Sequence, residues 1–218
     1  MIVVDTHRHR GLRQQLVKEL KTKGIRDERI LDAFMQIPRH FFLEKTFAEW
    51  AYKDVAFPID ADQTISQPFT VAMQTSLLNI KKGDKVLEIG TGSGFQASVL
   101  YHIGAKVYTI ERQKKLFEKT EKFLHDLGFG NVRTLFGDGY EGAPRFAPFD
   151  KIIITAGAVE IPKKLIDQLK PNGLMVIPLG DESGVQKMLR ITKNEDGSLT
   201  RENFGNYRFV PFLKGVNI

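Results

Sequence analysis

From Lys85 onward the chain repeats one grammar of apolar run, turn and helical pattern, and the first turn of the series is glycine-rich: VLEIGTGSGF, residues 86–95. The apolar runs VLEI (86–89), VYTI (107–110), VRTLF (132–136), KIIITA (151–156) and LMVIP (174–178) alternate with helical patterns over 95–103, 112–127 and 162–169. Strands that alternate with helices pair in parallel through crossovers, which predicts an α/β, doubly wound, mostly parallel sheet with helices on both faces. A run such as IIIT is what a strand covered on both faces requires. Beyond Gly180, QKMLRIT (186–192) and NFGNYRFVPF (203–212) flank the turn-rich NEDGS and read as an antiparallel edge pair, for about seven strands in all.

The N-terminal part has a different pattern. Leu12, Leu16 and Leu20 recur at helical spacing, Gly24 interrupts, and Ile30, Leu31, Phe34 and Met35 resume until Pro38, so residues 11–35 read as two helices. Residues 36–66 are irregular and aromatic, with Phe41, Phe42, Phe47, Trp50, Tyr52 and Phe57 expected in a core or cleft wall. Pro68 suits the first position of a helix running to Leu78. The expected division is a helical extension and substrate-cleft segment over 1–80 packed on a catalytic domain over 81–218, as one structural unit.

Composition removes several chemistries. With no cysteine in 218 residues, thiol nucleophiles, thiolate metal sites and disulfides are all excluded, and a reducing compartment fits. No run of about 18 apolar residues occurs and the first ten residues lack the features of a secretion signal, so the expectation is a soluble, cytoplasmic protein with no membrane partner. The net charge of +6 is spread as +2 over residues 1–60, +1 over 61–150 and +3 over 151–218, without the basic stripe that nucleic acid requires. His7 and His9 read as part of a mobile terminus rather than a metal pair, and His40, His102 and His125 have no ligand-like spacing, so no metal is expected.

Glycines directly after a strand let a ligand approach the backbone at the carboxyl edge of the sheet. The dinucleotide fingerprint needs a third glycine where Phe95 stands, and no GK[ST] follows, which disfavours NAD, FAD and nucleoside triphosphates. What remains, E-x-G-x-G-x-G at Glu88, Gly90, Gly92 and Gly94, resembles the first motif of the S-adenosylmethionine-dependent methyltransferases, whose sheet is Rossmann-like. Glu111 ends the second strand 21 residues after Gly90, the interval at which an acid meets a ribose hydroxyl. Asp138, in GDG after the third strand, could accept from an adenine amino group. Cytosine C5 chemistry lacks its cysteine, and TAGAVEIP stands where amino-methylating enzymes carry [DNS]PP[YFW].

A second cluster, Thr64, Ser66 and Gln67, precedes the helix at Pro68. Free amides at a helix start attract an anion such as a carboxylate, while the plainer reading is an N-cap set serving only its own helix.

Over nearly its whole length the sequence resembles the protein-L-isoaspartate (D-aspartate) O-methyltransferases. The resemblance rests on AFMQIPRHFF (33–42), QTISQPFTVAMQTSLL (63–78), KGDKVLEIGTGSGFQASVL (82–100), VYTIER (107–112), GDGYEG (137–142), FDKIIITAGAVEIP (149–162), QLKPNGLMVIPLG (168–180) and RFVPFLKG (208–215). It implies methyl transfer from S-adenosyl-L-methionine, leaving S-adenosyl-L-homocysteine, to the free carboxylate of L-isoaspartyl residues in damaged proteins and peptides. Ser66 is then the active-site residue. Gln63, Thr64, Ile65, Gly90, Gly92, Glu111, Asp138 and Gly139 contact the cofactor, and Arg208, Val210 and Pro211 contact the isoaspartyl peptide. Phe69, Phe95 and Val159 depart from the usual pattern and bear on peptide preference. A carboxylate is ionised at neutral pH, so Ser66 reads as a positioning donor rather than a nucleophile. The alternatives are an S-adenosylmethionine-dependent methyltransferase acting on a small molecule or RNA, and a cofactor-binding module without turnover.

Overall fold

The computed structural model describes residues 4–181 and 184–218. Thr6 opens helix α1 (His7–Thr22) with a capping box, its hydroxyl accepting from the His9 amide while the His9 ring accepts from the Thr6 amide. The helix therefore starts four residues before the expected Gly11. His7 and His9 lie in its first turn rather than in a mobile terminus, and His9 stacks on His40 with ring centroids 3.8 Å apart. Helix α2 (Glu28–Gln36) is capped by Asp27, whose carboxylate accepts the Arg29 amide at 2.9 Å, and it ends before Pro38.

Residues 39–66 form two 3-10 turns, Arg39–Phe42 and Lys45–Trp50, and a short antiparallel ribbon of β1 (Phe57–Pro58) and β2 (Thr64–Ile65). Of the aromatics expected in a core or cleft wall, Trp50 is 51% exposed, with the Lys53 ammonium over its ring. Helix α3 (Pro68–Leu78) follows and leads to β3 (Lys85–Ile89).

The remaining elements are α4 (Phe95–His102), β4 (Lys106–Glu111), α5 (Lys114–Asp126), β5 (Arg133–Phe136), β6 (Phe149–Ile154), α6 (Lys163–Asp167), β7 (Leu169–Leu179), β8 (Gln186–Lys193) and β9 (Leu199–Tyr207). They build one seven-stranded sheet in the order β5-β4-β3-β6-β7-β8-β9, parallel from β5 to β7 and antiparallel at β8 and β9. Strand β9 begins and ends earlier than expected. Its NYRFVPF end leaves β8 after Tyr207 because Val210 and Phe212 bond the backbone of Gly157 instead.

Alternation along β3 splits the core. Val86 joins Leu16, Leu20, Phe34, Leu78 and Phe95 in one cluster, and Leu87 and Ile89 join Phe149, Ile152, Ile154 and Leu165 in another. The first cluster runs from α1 and α2 through to Val176 of β7 and Met188 of β8, so the N-terminal helices share a core with the sheet. At about 1.5–3 kcal/mol per buried aliphatic or aromatic side chain, that shared core is what holds the segment before residue 80 against the carboxyl edge. Between β3 and β6 the chain order reverses, and a crevice opens there, outside the carboxyl ends of the strands.

Candidate active site

The glycine loop is fixed from three sides. Gly90 has φ +97°, and a Cβ on it would lie 2.6 Å from Thr155 Oγ1, the hydroxyl that donates to the carbonyls of both Ile89 and Gly90. The Gly92 amide donates to Glu111 Oε2 at 3.0 Å, and its carbonyl accepts from the Thr120 hydroxyl at 2.8 Å. Gly94, left-handed at φ +83°, starts α4. The loop forms one wall of a cleft of about 800 Å³ counted to its open mouth, a size that suits a nucleoside-sized ligand.

Of the residues expected at the cofactor or the reacting group, Gln63, Thr64, Ile65, Ser66, Gly90, Gly92, Glu111 and Gly139 line this cleft, and so do Val210 and Pro211, expected at the peptide. Glu111 is 4% exposed, and its second oxygen accepts the Gln113 amide at 2.9 Å. Asp138 stands apart. It is not among the residues lining the cleft, and its oxygens accept the amides of Tyr140 and Gly215, at 2.9 and 2.7 Å. Phe212, one turn back on that segment, stacks on Tyr140 with centroids 3.9 Å apart and covers Gly139.

A second cavity adjoins the first. Phe69, Phe204, Tyr207 and Phe209 line it, with Arg208 as its charged residue, and it shares Thr64, Ser66, Thr155 and Val210 with the glycine-loop cleft. Ser66 thus stands at the junction of the two. It follows β2 directly and is fixed by its carbonyl, which accepts from Arg39 Nη2 at 2.8 Å. The start of α3 is organised differently from the expected N-cap cluster. Gln67 is the N-cap but makes no cap bond with its side chain, and Asp54 reaches in from upstream to accept the Phe69 amide at 2.7 Å.

With this geometry in hand, comparison with known proteins is specific. The protein-L-isoaspartate(D-aspartate) O-methyltransferase family model matches residues 11–217. A Christiangramia forsetii protein named protein-L-isoaspartate O-methyltransferase is 55% identical over 213 residues, covering 98% of this chain and 99% of its own. The chain belongs to this family. A solved protein-L-isoaspartate O-methyltransferase superposes with TM-score 0.83 at 32% identity, over 91% of this chain and 65% of the other, so this chain spans just under two thirds of that one. A Plasmodium falciparum structure, titled as a putative protein-L-isoaspartate O-methyltransferase in complex with S-adenosyl-L-homocysteine, shares the fold at TM-score 0.80 and 24% identity, covering 97% of this chain and all of its own.

Within this isoaspartate methyltransferase, the three departures from the family pattern fall in three environments. Phe69 walls the second cavity, Phe95 is buried under the glycine loop at the first, and Val159 is exposed on the surface. Sequence reasoning missed Thr91, Arg112, Thr155 and Phe212, which line the cleft, and Arg39 and Asp54, which hold its lip. Arg39 carried a signal, a cation inside the apolar stretch IPRHFF; Asp54 carried none. The histidines also assemble in a way their spacing conceals, since Asp5, His9 and His40 bring one donor atom each within 4.8 Å. Arg13 takes both Asp5 oxygens, at 3.0 and 2.8 Å, and so stands where a cation would need that carboxylate.

Proposed function

We propose that the protein repairs damaged proteins and peptides by transferring a methyl group from S-adenosyl-L-methionine to the free carboxylate of L-isoaspartyl residues. The observation that carries this reading is that Ser66 lines both cavities, the glycine-loop cleft and the aromatic groove. A cofactor in one and a peptide in the other meet at that hydroxyl.

The cleft fits the cofactor in size and chemistry: backbone without Cβ at the glycines, the buried carboxylate of Glu111 at one end and apolar Ile89, Ile110 and Phe95 between. When bound, S-adenosyl-L-methionine supplies a methyl on a positive sulfur. This chain's residues then align and exclude water. The acceptor carboxylate, with pKa near 4, needs no base to ionise it at pH 7. Ser66 donates a hydrogen bond that orients it, and Arg208, Val210 and Pro211 border the peptide. Charge disappears as the carboxylate meets the sulfonium, so a cleft walled by isoleucine and phenylalanine favours the reaction over water. Orientation of that kind supplies up to about 7–11 kcal/mol. Residues 1–80 act as the acceptor-side lip and 81–218 as the cofactor domain. The proposed setting is the cytoplasm, without metal, membrane or nucleic acid. No helix among the described residues is long and apolar enough to cross a membrane.

The test is transfer of labelled methyl from S-adenosyl-L-methionine to an isoaspartyl peptide beside its normal aspartyl twin, with label expected on the first alone. Equal labelling of the two, or none, overturns the reading. In Ser66→Ala, turnover should fall roughly a hundredfold while affinity for S-adenosyl-L-homocysteine changes by less than about threefold.

A further inference from the structure

Two buried charges of opposite sign hold the acceptor lip, and neither lines the cofactor cleft. Arg39 is 1% exposed; its Nε donates to the Ala51 carbonyl at 3.0 Å and its Nη2 to the Ser66 carbonyl at 2.8 Å, while the guanidinium lies 4.8 Å above the Phe95 ring. Asp54 has a side chain only 3% exposed. Its Oδ1 accepts the Phe69 amide at 2.7 Å, and its Oδ2 accepts the Gln67 side-chain amide at 3.0 Å and the Lys23 ammonium. Ser66 is therefore gripped on both sides, by its own carbonyl and through Gln67 and Phe69 at the start of α3.

Removing a charge from water is unfavourable unless its partners compensate. Arg39 is held by the Ala51 and Ser66 carbonyls, with its Nη1 buried and unpartnered among the described residues, and Asp54 by Lys23 and the start of α3. The arrangement also has a negative consequence. An empty helix N-terminus attracts anions, yet at α3 the resident carboxylate of Asp54 already occupies the amide end. An incoming peptide carboxylate is left to the rest of the lip, where Ser66 lines both cavities.

We propose that Arg39 and Asp54 are positioning residues for methyl transfer, fixing the Ser66 carbonyl and the start of α3 so that the Ser66 hydroxyl presents the acceptor carboxylate to the cofactor methyl. The inference rests on the isoaspartyl methyltransferase reading. It assigns neither residue a contact with substrate or cofactor.

The test uses full-length Arg39→Lys, Asp54→Asn and Asp54→Ala. Three quantities are read: steady-state methylation of an isoaspartyl peptide, calorimetric affinity for S-adenosyl-L-homocysteine, and hydrogen exchange at the Phe69 amide. Misplacement of a reacting group by about 1 Å costs roughly a hundredfold in rate. A lysine at 39 cannot reach both carbonyls, so kcat should fall roughly tenfold to a hundredfold with cofactor-product affinity held within about threefold. At 54 the loss should be graded, Asn milder than Ala, because an asparagine carbonyl still accepts from Phe69, and the Phe69 amide should exchange faster in Ala. Should Asp54→Ala not fold, Asp54→Asn and Arg39→Lys carry the comparison. Near-wild-type kcat in Arg39→Lys and Asp54→Asn overturns the proposal, as does a fall in kcat matched by an equal loss of affinity for S-adenosyl-L-homocysteine. If the wild type leaves the isoaspartyl peptide unmethylated, the parent reading fails, and the exchange arm alone then decides the clamp. Unchanged Phe69 exchange in Asp54→Ala overturns it, and faster exchange with intact product affinity upholds it.

Discussion

Glu111 and Gly92 are joined at the cleft by a carboxylate–amide bond of 3.0 Å, with the other carboxylate oxygen taking the Gln113 amide. The acid at the end of β4 thus shapes the glycine loop from within the protein as well as facing the cleft. Glu111→Ala leaves two amides without an acceptor in a buried place, a cost of about 1–3 kcal/mol. Expressed in binding, affinity for S-adenosyl-L-homocysteine should fall between roughly fivefold and a hundredfold, measured by calorimetry. Glu111→Gln keeps one acceptor and should lose less. Unchanged affinity in Glu111→Ala would show that the loop holds its shape without this bond.

Glu88, two residues before the loop on β3, is 0% exposed, and neither of its oxygens has a hydrogen-bond partner among the described residues. Burial pushes its carboxyl up to about 8, with the Thr109 hydroxyl opposing the shift and the nearby Glu111 charge adding to it. The folded pKa lies above the unfolded value near 4.5. Stability is therefore greatest below pH 4.5 with respect to this group, declines as the unfolded chain alone ionises, and levels off above about pH 8. The whole window is worth several kcal/mol, on the order of 1.4 per pH unit. Wild-type melting temperature should drop relative to Glu88→Gln from pH 5 to pH 8, read by calorimetry without cofactor. Parallel pH profiles would mean that Glu88 ionises as freely in the folded chain as in the unfolded one.

The parallel half of the fold was legible because two signals agreed at each strand. Apolar runs such as IIIT gave the buried strands, and glycine or acid at their ends gave the carboxyl edge. Two boundaries failed, one decided by a long-range bond and one by a local cap. β9 stops at Tyr207 because Gly157 captures the next segment, and α1 starts at His7 because Thr6 and His9 cap each other beneath a polar sequence that hides the helix. Asp138's place after the third strand was legible, but not that its carboxylate would also hold the Gly215 amide, 77 residues on. The Arg39 and Asp54 pair is the same case. Charged residues are read as surface until a fold buries them.

His40 provides an acid-side counterpart to Glu88. It is buried, one ring nitrogen meets the Tyr52 hydroxyl, and the other has no partner among the described residues. Burial, with the His9 and Arg13 charges beside it, pushes its pKa down to about 4, against a smaller opposing pull from Asp5. The ring stays neutral in the folded chain while the unfolded chain takes up a proton below pH 6.5. Stability is lost as pH falls from about 6.5 to about 4 and is flat above that window. Between pH 7 and pH 5 the wild type should lose more melting temperature than His40→Phe, whatever their difference at pH 7. Equal losses would remove His40 from the acid response.

The bond between Asp138 and the Gly215 amide ties the C-terminal segment over the cleft, and the Arg112 side chain and backbone fasten the same segment through Gly215 and Asn217. Phe212 and Leu213 of that segment line the cleft, so whatever holds the segment also shapes the cleft. Asp138→Ala removes a charge-assisted acceptor worth about 1.5–3 kcal/mol, only part of which reaches the cofactor because the Arg112 bonds remain. Affinity for S-adenosyl-L-homocysteine should weaken by roughly three- to thirtyfold, and amide exchange over residues 212–217 should quicken while the sheet stays protected. Ser66→Ala should do the reverse, sparing affinity and exchange while turnover falls. The two variants together separate a residue that shapes the cofactor's side of the cleft from one that aligns the acceptor, and an Asp138→Ala enzyme with full affinity and slow turnover would mean that these roles are exchanged.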